Sequence, residues 1–150
     1  MITKAMIDDF ISQPYLAIVG VSRKGNKFGN SAYKELKTKG YHLYLVHPSG
    51  EIIEGEQSYP SLKALPQKVG GVLVVVPPTQ AEKVVREAHE AGIDRVWLQQ
   101  GAESQAAIQY CQQNGMSVIY SKCILMFAQP LAFFHKPHRW VMGVLGQLPK

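Results

Sequence analysis

Five short apolar runs, separated by segments of helical periodicity, predict an α/β domain with a doubly wound sheet of about five parallel strands and helices on both faces. Three observations lead there. Runs such as Gly71-Val-Leu-Val-Val-Val76 are apolar without alternation, which suits strands buried on both faces. Four of the five close at glycine or proline, and three of those lead into apolar residues spaced three and four apart. Strand and helix alternate over short connections, so successive strands run parallel through right-handed crossovers.

The elements follow in order. Residues 3–13 read as a leading helix, with Ile7, Phe10 and Ile11 on one face and Pro14 as its stop. Residues 15–21 form the first strand. Residues 30–39 are helical, burying Ala32, Tyr33 and Leu36, and Gly40 ends them. The second strand, 41–46, breaks at His47-Pro48. Residues 49–68 are polar and turn-rich, with one short helix near 61–64. The third strand, 71–76, ends at Pro77-Pro78. Thr79 is then expected to cap a helix, with Glu82 completing a capping box, and Ala81, Val84, Val85 and Ala88 facing inward as far as Gly92. Residues 95–99 are the fourth strand, broken by Gly101. Residues 104–114 are helical, with Ala107, Ile108 and Cys111 inward and Gly115 as the stop; 117–120 is the fifth strand. The simplest doubly wound order is 3-2-1-4-5, a Rossmann-like arrangement. One domain spans the 150 residues, with a core near 10–126. Residues 127–150 read as a helical extension that covers the sheet or docks on a second copy, making a homodimer an expectation.

Composition narrows the function. The net charge is +5, and the last acidic residue is Glu103. The pI of about 9.2 permits nucleic-acid binding. No helix-turn-helix, aromatic–basic RNA motif or metal-finger spacing accompanies it, so nucleic acid is not expected. No apolar run approaches the roughly 18 residues of a membrane span. The first residues carry Asp8 and Asp9 and do not resemble a secretory signal. Two cysteines make no disulfide framework, and a reducing cytoplasm is the expected compartment. His135 and His138 flank Pro137 with no third ligand in view, so no metal is expected. Neither a Ser–His–Asp nor a Cys–His pair is evident, and no catalytic residue is assigned.

Residues 15–29 are the most informative stretch. An apolar strand runs into a glycine turn, a basic loop and a helix, which is how phosphate-binding loops are built. Gly20 allows a sharp turn, and Gly29 lets backbone N–H groups approach an anion. Ser22 offers a hydroxyl. Arg23, Lys24 and Lys27 offer charge, and no acid occurs between Asp9 and Glu35, so acid-free surroundings are expected. The glycines miss the G-x-G-x-x-G spacing of dinucleotide sites. The second strand ends in His47-Pro48, with no carboxylate for ribose hydroxyls before Glu51. NAD is therefore disfavoured. The Gly-Lys-Ser/Thr junction of nucleotide hydrolases is missing too. Four peptides are expected at the switch point of the sheet: 20–29, His47-Pro48, 76–79 and 99–102. Cys123 follows the fifth strand, where it is either a small buried hydrophobe or a thiol near the ligand mouth. Trp97 reads as core or sheet-edge packing, not as a stacking platform.

Several motifs together resemble one family, the small single-domain CoA-binding proteins, whose domain is similar to the CoA-binding domain of the succinyl-CoA synthetase alpha subunit. The motifs are Ile18-Val-Gly-Val-Ser-Arg23 with Lys27-Phe28-Gly29, Val46-His47-Pro48, Tyr59-Pro-Ser-Leu62, Val75-Val-Pro-Pro78, Val96-Trp-Leu-Gln-Gln-Gly101 and Lys122-Cys123. The resemblance implies that Gly20, Val21 and Ser22 cradle the pyrophosphate of coenzyme A or acyl-CoA. It places Arg23 and Lys27 on the phosphates, with Phe28 and Gly29 beside them, and His47 and Pro48 on the adenosine side. The family usually has Asn-Pro where this chain has His47-Pro48. Val76, Pro77 and Pro78 would pack along the ligand, and Gln99, Gln100 and Gly101 along the pantetheine. The implied function is binding without a reaction of its own. Two other readings stay open: an NAD(P)-dependent oxidoreductase, and an interaction module that uses residues 127–150.

Overall fold

The structure, a computed structural model, describes residues 2–131. Helix α1 (Lys4–Ile11) begins at Thr3, whose Oγ1 accepts the N–H of Met6 at 3.1 Å. Strand β1 (Tyr15–Val19), helix α2 (Phe28–Thr38) and strand β2 (His42–Val46) follow. Two short strands come next, β3 (Ile52–Ile53) and β4 (Glu56–Tyr59). The second half repeats strand and helix: β5 (Gly71–Val74), α3 (Pro78–Glu90), β6 (Arg95–Gln99), α4 (Gln105–Gln113) and β7 (Ser117–Lys122).

The seven strands form one sheet in the order β3-β4-β2-β1-β5-β6-β7, parallel except for β3 against β4. The α/β doubly wound class is as expected; the strand count and the order differ. The run at 71–74 lies in the centre, with Leu16 opposite Gly71 and Val19 opposite Val74, rather than at the edge beyond β2. The third place belongs to β4, which pairs with β2 through Leu45–Ser58 and Val46–Tyr59. Counting parallel strands alone, the order is 3-2-1-4-5-6. Strand β4 escapes detection because Ser58 is its single buried residue, so it has neither an apolar run nor a clear alternation. It is held by a two-residue turn, Glu54-Gly55, with φ of +53° and +75°, as tight hairpins require.

Alternation along each strand divides the core into two layers. Leu16, Ile18, Leu73, Trp97 and Ile119 face α1 and α2. Ala17, Val72, Val74, Val96, Leu98 and Val118 face α3 and α4. Trp97 is fully buried, 5.4 Å from the ring of Phe10 and 6.0 Å from that of Phe127. Its Nε1 donates to the Lys122 carbonyl at 2.9 Å, satisfying the one polar atom it buries.

Helix α3 corrects one expectation. It starts at Pro78 with Pro77 before it, and no side chain caps it. Proline at the first helical position brings a preset φ and no N–H to satisfy, so Thr79 falls inside the first turn. Glu82 pairs instead with Arg86 at 2.6 Å. After the short 3₁₀ turn Ile124–Met126, the chain returns to α2, where the Leu131 N–H donates to the Lys39 carbonyl at 2.6 Å. Residues 127–131, expected to begin a helical extension, form no helix, and from residue 132 the extension lies outside the described residues. Among the described residues no helix is long and apolar enough to cross a membrane.

Candidate functional site

Strands β1 and β5 are neighbours, and the chain leaves them toward opposite faces, through α2 and α3. This switch point opens a crevice at the carboxyl ends of the strands. Gly20 leaves β1 at φ +123°, where a Cβ would overlap the Val75 carbonyl. A Cβ on Gly29 would lie 2.6 Å from the Gly20 carbonyl oxygen. Two glycines thus seat the first turn of α2 directly on the end of β1. The backbone N–H groups of Phe28 and Gly29 have no acceptor among the described residues. They are the orphan donors of a helix start, with a favourable dipole behind them.

Asn30 gives this loop its shape. It is 1% exposed, yet its side chain is well satisfied. Its Oδ1 accepts the Ser22 N–H at 2.9 Å and the Lys27 N–H at 3.4 Å. Its Nδ2 donates to the Ser22 carbonyl at 2.9 Å and to Glu54 at 2.7 Å. One amide therefore joins the start of the loop, the start of α2 and the tip of the β3–β4 hairpin. The hairpin also corrects the expectation of acid-free surroundings. Glu51 pairs with Arg23 at 3.0 Å, and Glu54 lies 3.6 Å from Lys34. Lys27 has no carboxylate partner among the described residues.

Opposite stand the ends of β5, β6 and β7. Val75, Val76, Pro77, residues 99–102 and Cys123 enclose, with residues 27–29, an open cleft of about 540 Å³. That volume falls within the range of small-molecule sites. The register of β6 on β7 shifts between Trp97 and Gln99, and Ser121 adopts φ +60° there. Such a bulge turns a strand end toward a site. Glu103 fixes the wall: its Oε1 accepts the Gly101 N–H at 2.6 Å and its Oε2 the Ser121 hydroxyl at 3.0 Å. A smaller recess of about 260 Å³ lies between α2 and β2, lined by Tyr33, Lys37 and Tyr44 among others, away from the switch point.

Of the residues singled out from sequence, Lys27, Phe28, Gly29, Val76, Pro77, Gln99, Gln100 and Gly101 line the cleft together. Gly20 lies beneath, Val21 is buried, and Ser22 and Arg23 belong to the adjoining loop. Pro78 opens α3. His47 and Pro48 are not lining residues: the His47 N–H bonds to the Tyr59 carbonyl at 2.9 Å, and its Nδ1 lies 2.9 Å from the Ser49 hydroxyl. Cys123 lies on the cleft wall, whereas Cys111 is fully buried and burial pushes its thiol up to about 12. Asn30, Glu54 and Glu103 escaped sequence reasoning, since nothing local marks them.

A family model described as a CoA binding domain matches residues 15–129. The alpha subunit of ADP-forming acetate–CoA ligase II from Pyrococcus furiosus is 26% identical over 130 residues, covering 79% of this chain and 28% of the subunit. The chain thus spans less than a third of the curated ligase it matches. A conserved hypothetical protein from Pyrococcus furiosus superposes with a TM-score of 0.71 at 36% identity, covering 75% of this chain and 97% of its own. A hypothetical protein from Pyrococcus horikoshii superposes with a TM-score of 0.78 at 27% identity, covering 83% and 89%. With the match extending over the whole described sheet, the chain belongs to the CoA binding domain family.

Proposed function

We propose that the switch-point cleft binds coenzyme A or an acyl-CoA, and that the domain acts by binding, without a reaction of its own, in the cytoplasm. One observation supports this most: the N–H groups of Phe28 and Gly29 and the ammonium of Lys27, all without a partner among the described residues, meet in one cleft wall. Two aligned backbone donors and a cation suit a pyrophosphate. In this reading Gly20, Val21 and Ser22 shape the turn under the phosphates, and Arg23 reaches them by exchanging its Glu51 partner. Val76, Pro77 and Pro78 pack along the ligand, and Gln99, Gln100 and Gly101 follow the pantetheine. The Gly101 N–H already serves Glu103, so its contribution is a wall without a side chain. His47 and Pro48 serve the adenosine side beyond β2. The acetate–CoA ligases match over this domain alone, and their ligation chemistry is not carried over.

Calorimetric titration with CoA, dephospho-CoA, NAD and NADP tests the reading. CoA should bind, and loss of the ribose 3′-phosphate should weaken it. Preference for NAD or NADP would favour the oxidoreductase reading, and silence to all four would favour an interaction module. Lys27→Ala should weaken CoA by about 1.5–3 kcal/mol, roughly ten- to a hundredfold in Kd, without altering the thermal transition.

A further inference from the structure

Strand β4 accompanies β2 over only part of its length. The ladder between them joins Leu45 to Ser58 and Val46 to Tyr59, and it does not reach Leu43. On the other side of β2, the His42 N–H donates to the Pro14 carbonyl at 2.9 Å. Backbone groups of successive residues point to opposite sides of a strand, so the N–H and carbonyl of Leu43 point away from β1. They face the gap where β4 has diverged, and neither has a partner among the described residues. The recess of about 260 Å³ between α2 and β2 is this gap, with Leu43 in its wall. It is a short piece of open strand edge set inside a cavity.

A flat ring bonded to that edge lies in the plane of the sheet. Its two faces then meet tyrosines from opposite layers: Tyr33 of α2 on one side, and Tyr44 with Tyr59, rings 6.0 Å apart, on the other. Aromatic side chains of this kind stack on any nucleobase. At the rim, Lys37 Nζ lies 3.0 Å from Glu56, both side chains more than half exposed. The carboxylate can accept sugar hydroxyls, and the pair carries no net charge. The last turn of α2, which bears Lys37, is the negative end of that helix and disfavours a phosphate.

We propose that this gap is a second ligand site, for an unphosphorylated nucleoside. The pairing edge of the base, a donor beside an acceptor, meets the Leu43 carbonyl and N–H. The ring lies between Tyr33 and the Tyr44–Tyr59 pair, and the sugar hydroxyls reach Glu56. The site is separate from the switch-point cleft and does not rest on the CoA reading.

Amide-resolved NMR of the full chain, titrated with adenosine, guanosine, cytidine and uridine and with their 5′-monophosphates, tests this. At least one nucleoside should shift the Leu43 N–H while leaving Phe28 and Gly29 unmoved, and excess CoA should not displace it. That nucleoside should bind about fivefold more tightly than its monophosphate, and Glu56→Gln, which frees the Lys37 ammonium, should reverse the order. No shift at Leu43 with any of these nucleosides, or equal affinity for nucleoside and monophosphate, overturns the proposal. So does displacement by CoA, which would put the nucleoside in the switch-point cleft instead.

Discussion

On the β1 side of the cleft, the loop is fastened by buried Asn30 and by Glu54, which reaches Asn30 across 24 residues of sequence. On the β6 side, the turn is fastened by Glu103, two residues from the Gly101 N–H that it accepts, with Ser121 as a second donor. The first wall thus takes its shape only once the β3–β4 hairpin is docked on the sheet edge. The second takes most of its shape from its own turn. A loop that must present free N–H groups and an unpaired lysine cannot spend those groups on its own folding, and Asn30 supplies the missing bonds from beneath.

The largest test of this contrast is a pair of glycine substitutions. Gly20→Ala places a Cβ on the Val75 carbonyl in a backbone region nearly closed to other residues, and should cost about 3 kcal/mol or more in urea unfolding. Gly101 also has positive φ, +96°, but a Cβ there meets nothing within 4 Å. Gly101→Ala should cost about 1 kcal/mol. Equal costs would mean that the first wall is not the tighter one.

Alkaline unfolding separates the two core layers. Burial pushes both Tyr41, beside α1, and Cys111, in α4, up to about 12, from ordinary values of 10.0 and 9.0. In each case the unfolded chain ionises first, so stability is full below pH 9 and falls as pH rises toward 12. The tyrosine accounts for on the order of 2–3 kcal/mol of this loss. Cys111→Ala should delay the onset from near pH 9 to near pH 10 in a pH series of thermal melts.

Next in size, Asn30→Ala strands the Ser22 N–H and carbonyl and should cost about 1–3 kcal/mol, with weaker CoA binding. Glu103→Ala should cost less, since its partners remain near solvent. Glu51→Gln is the smallest change. The Arg23–Glu51 pair is more than half exposed on both sides, so stability should move by less than about 0.5 kcal/mol. CoA affinity should rise as Arg23 is released.

The same contrast explains how much the sequence discloses. The central strands were legible because each is a short apolar run closed by glycine or proline. So were the loops after β1, β5 and β6, because the switch-point rule needs only the strand–helix alternation. Strand neighbours were not legible, since periodicity says which faces are buried and nothing about which strand lies alongside. That is why residues 71–74 were expected at the edge and Glu56–Tyr59 were passed over. The capping box at Thr79 failed because Pro78 already starts the helix. Asn30, Glu54 and Glu103 act through partners brought near by folding, and a lone polar residue in sequence does not announce such a partner.

The most direct test of the central claim is an amide-resolved NMR titration of the protein with CoA. The largest shifts are predicted at the N–H groups of Phe28 and Gly29, with smaller ones at residues 75–76 and 99–102. Shifts confined to the α2–β2 recess near Lys37 and Tyr44, with Phe28 and Gly29 unmoved, would contradict it.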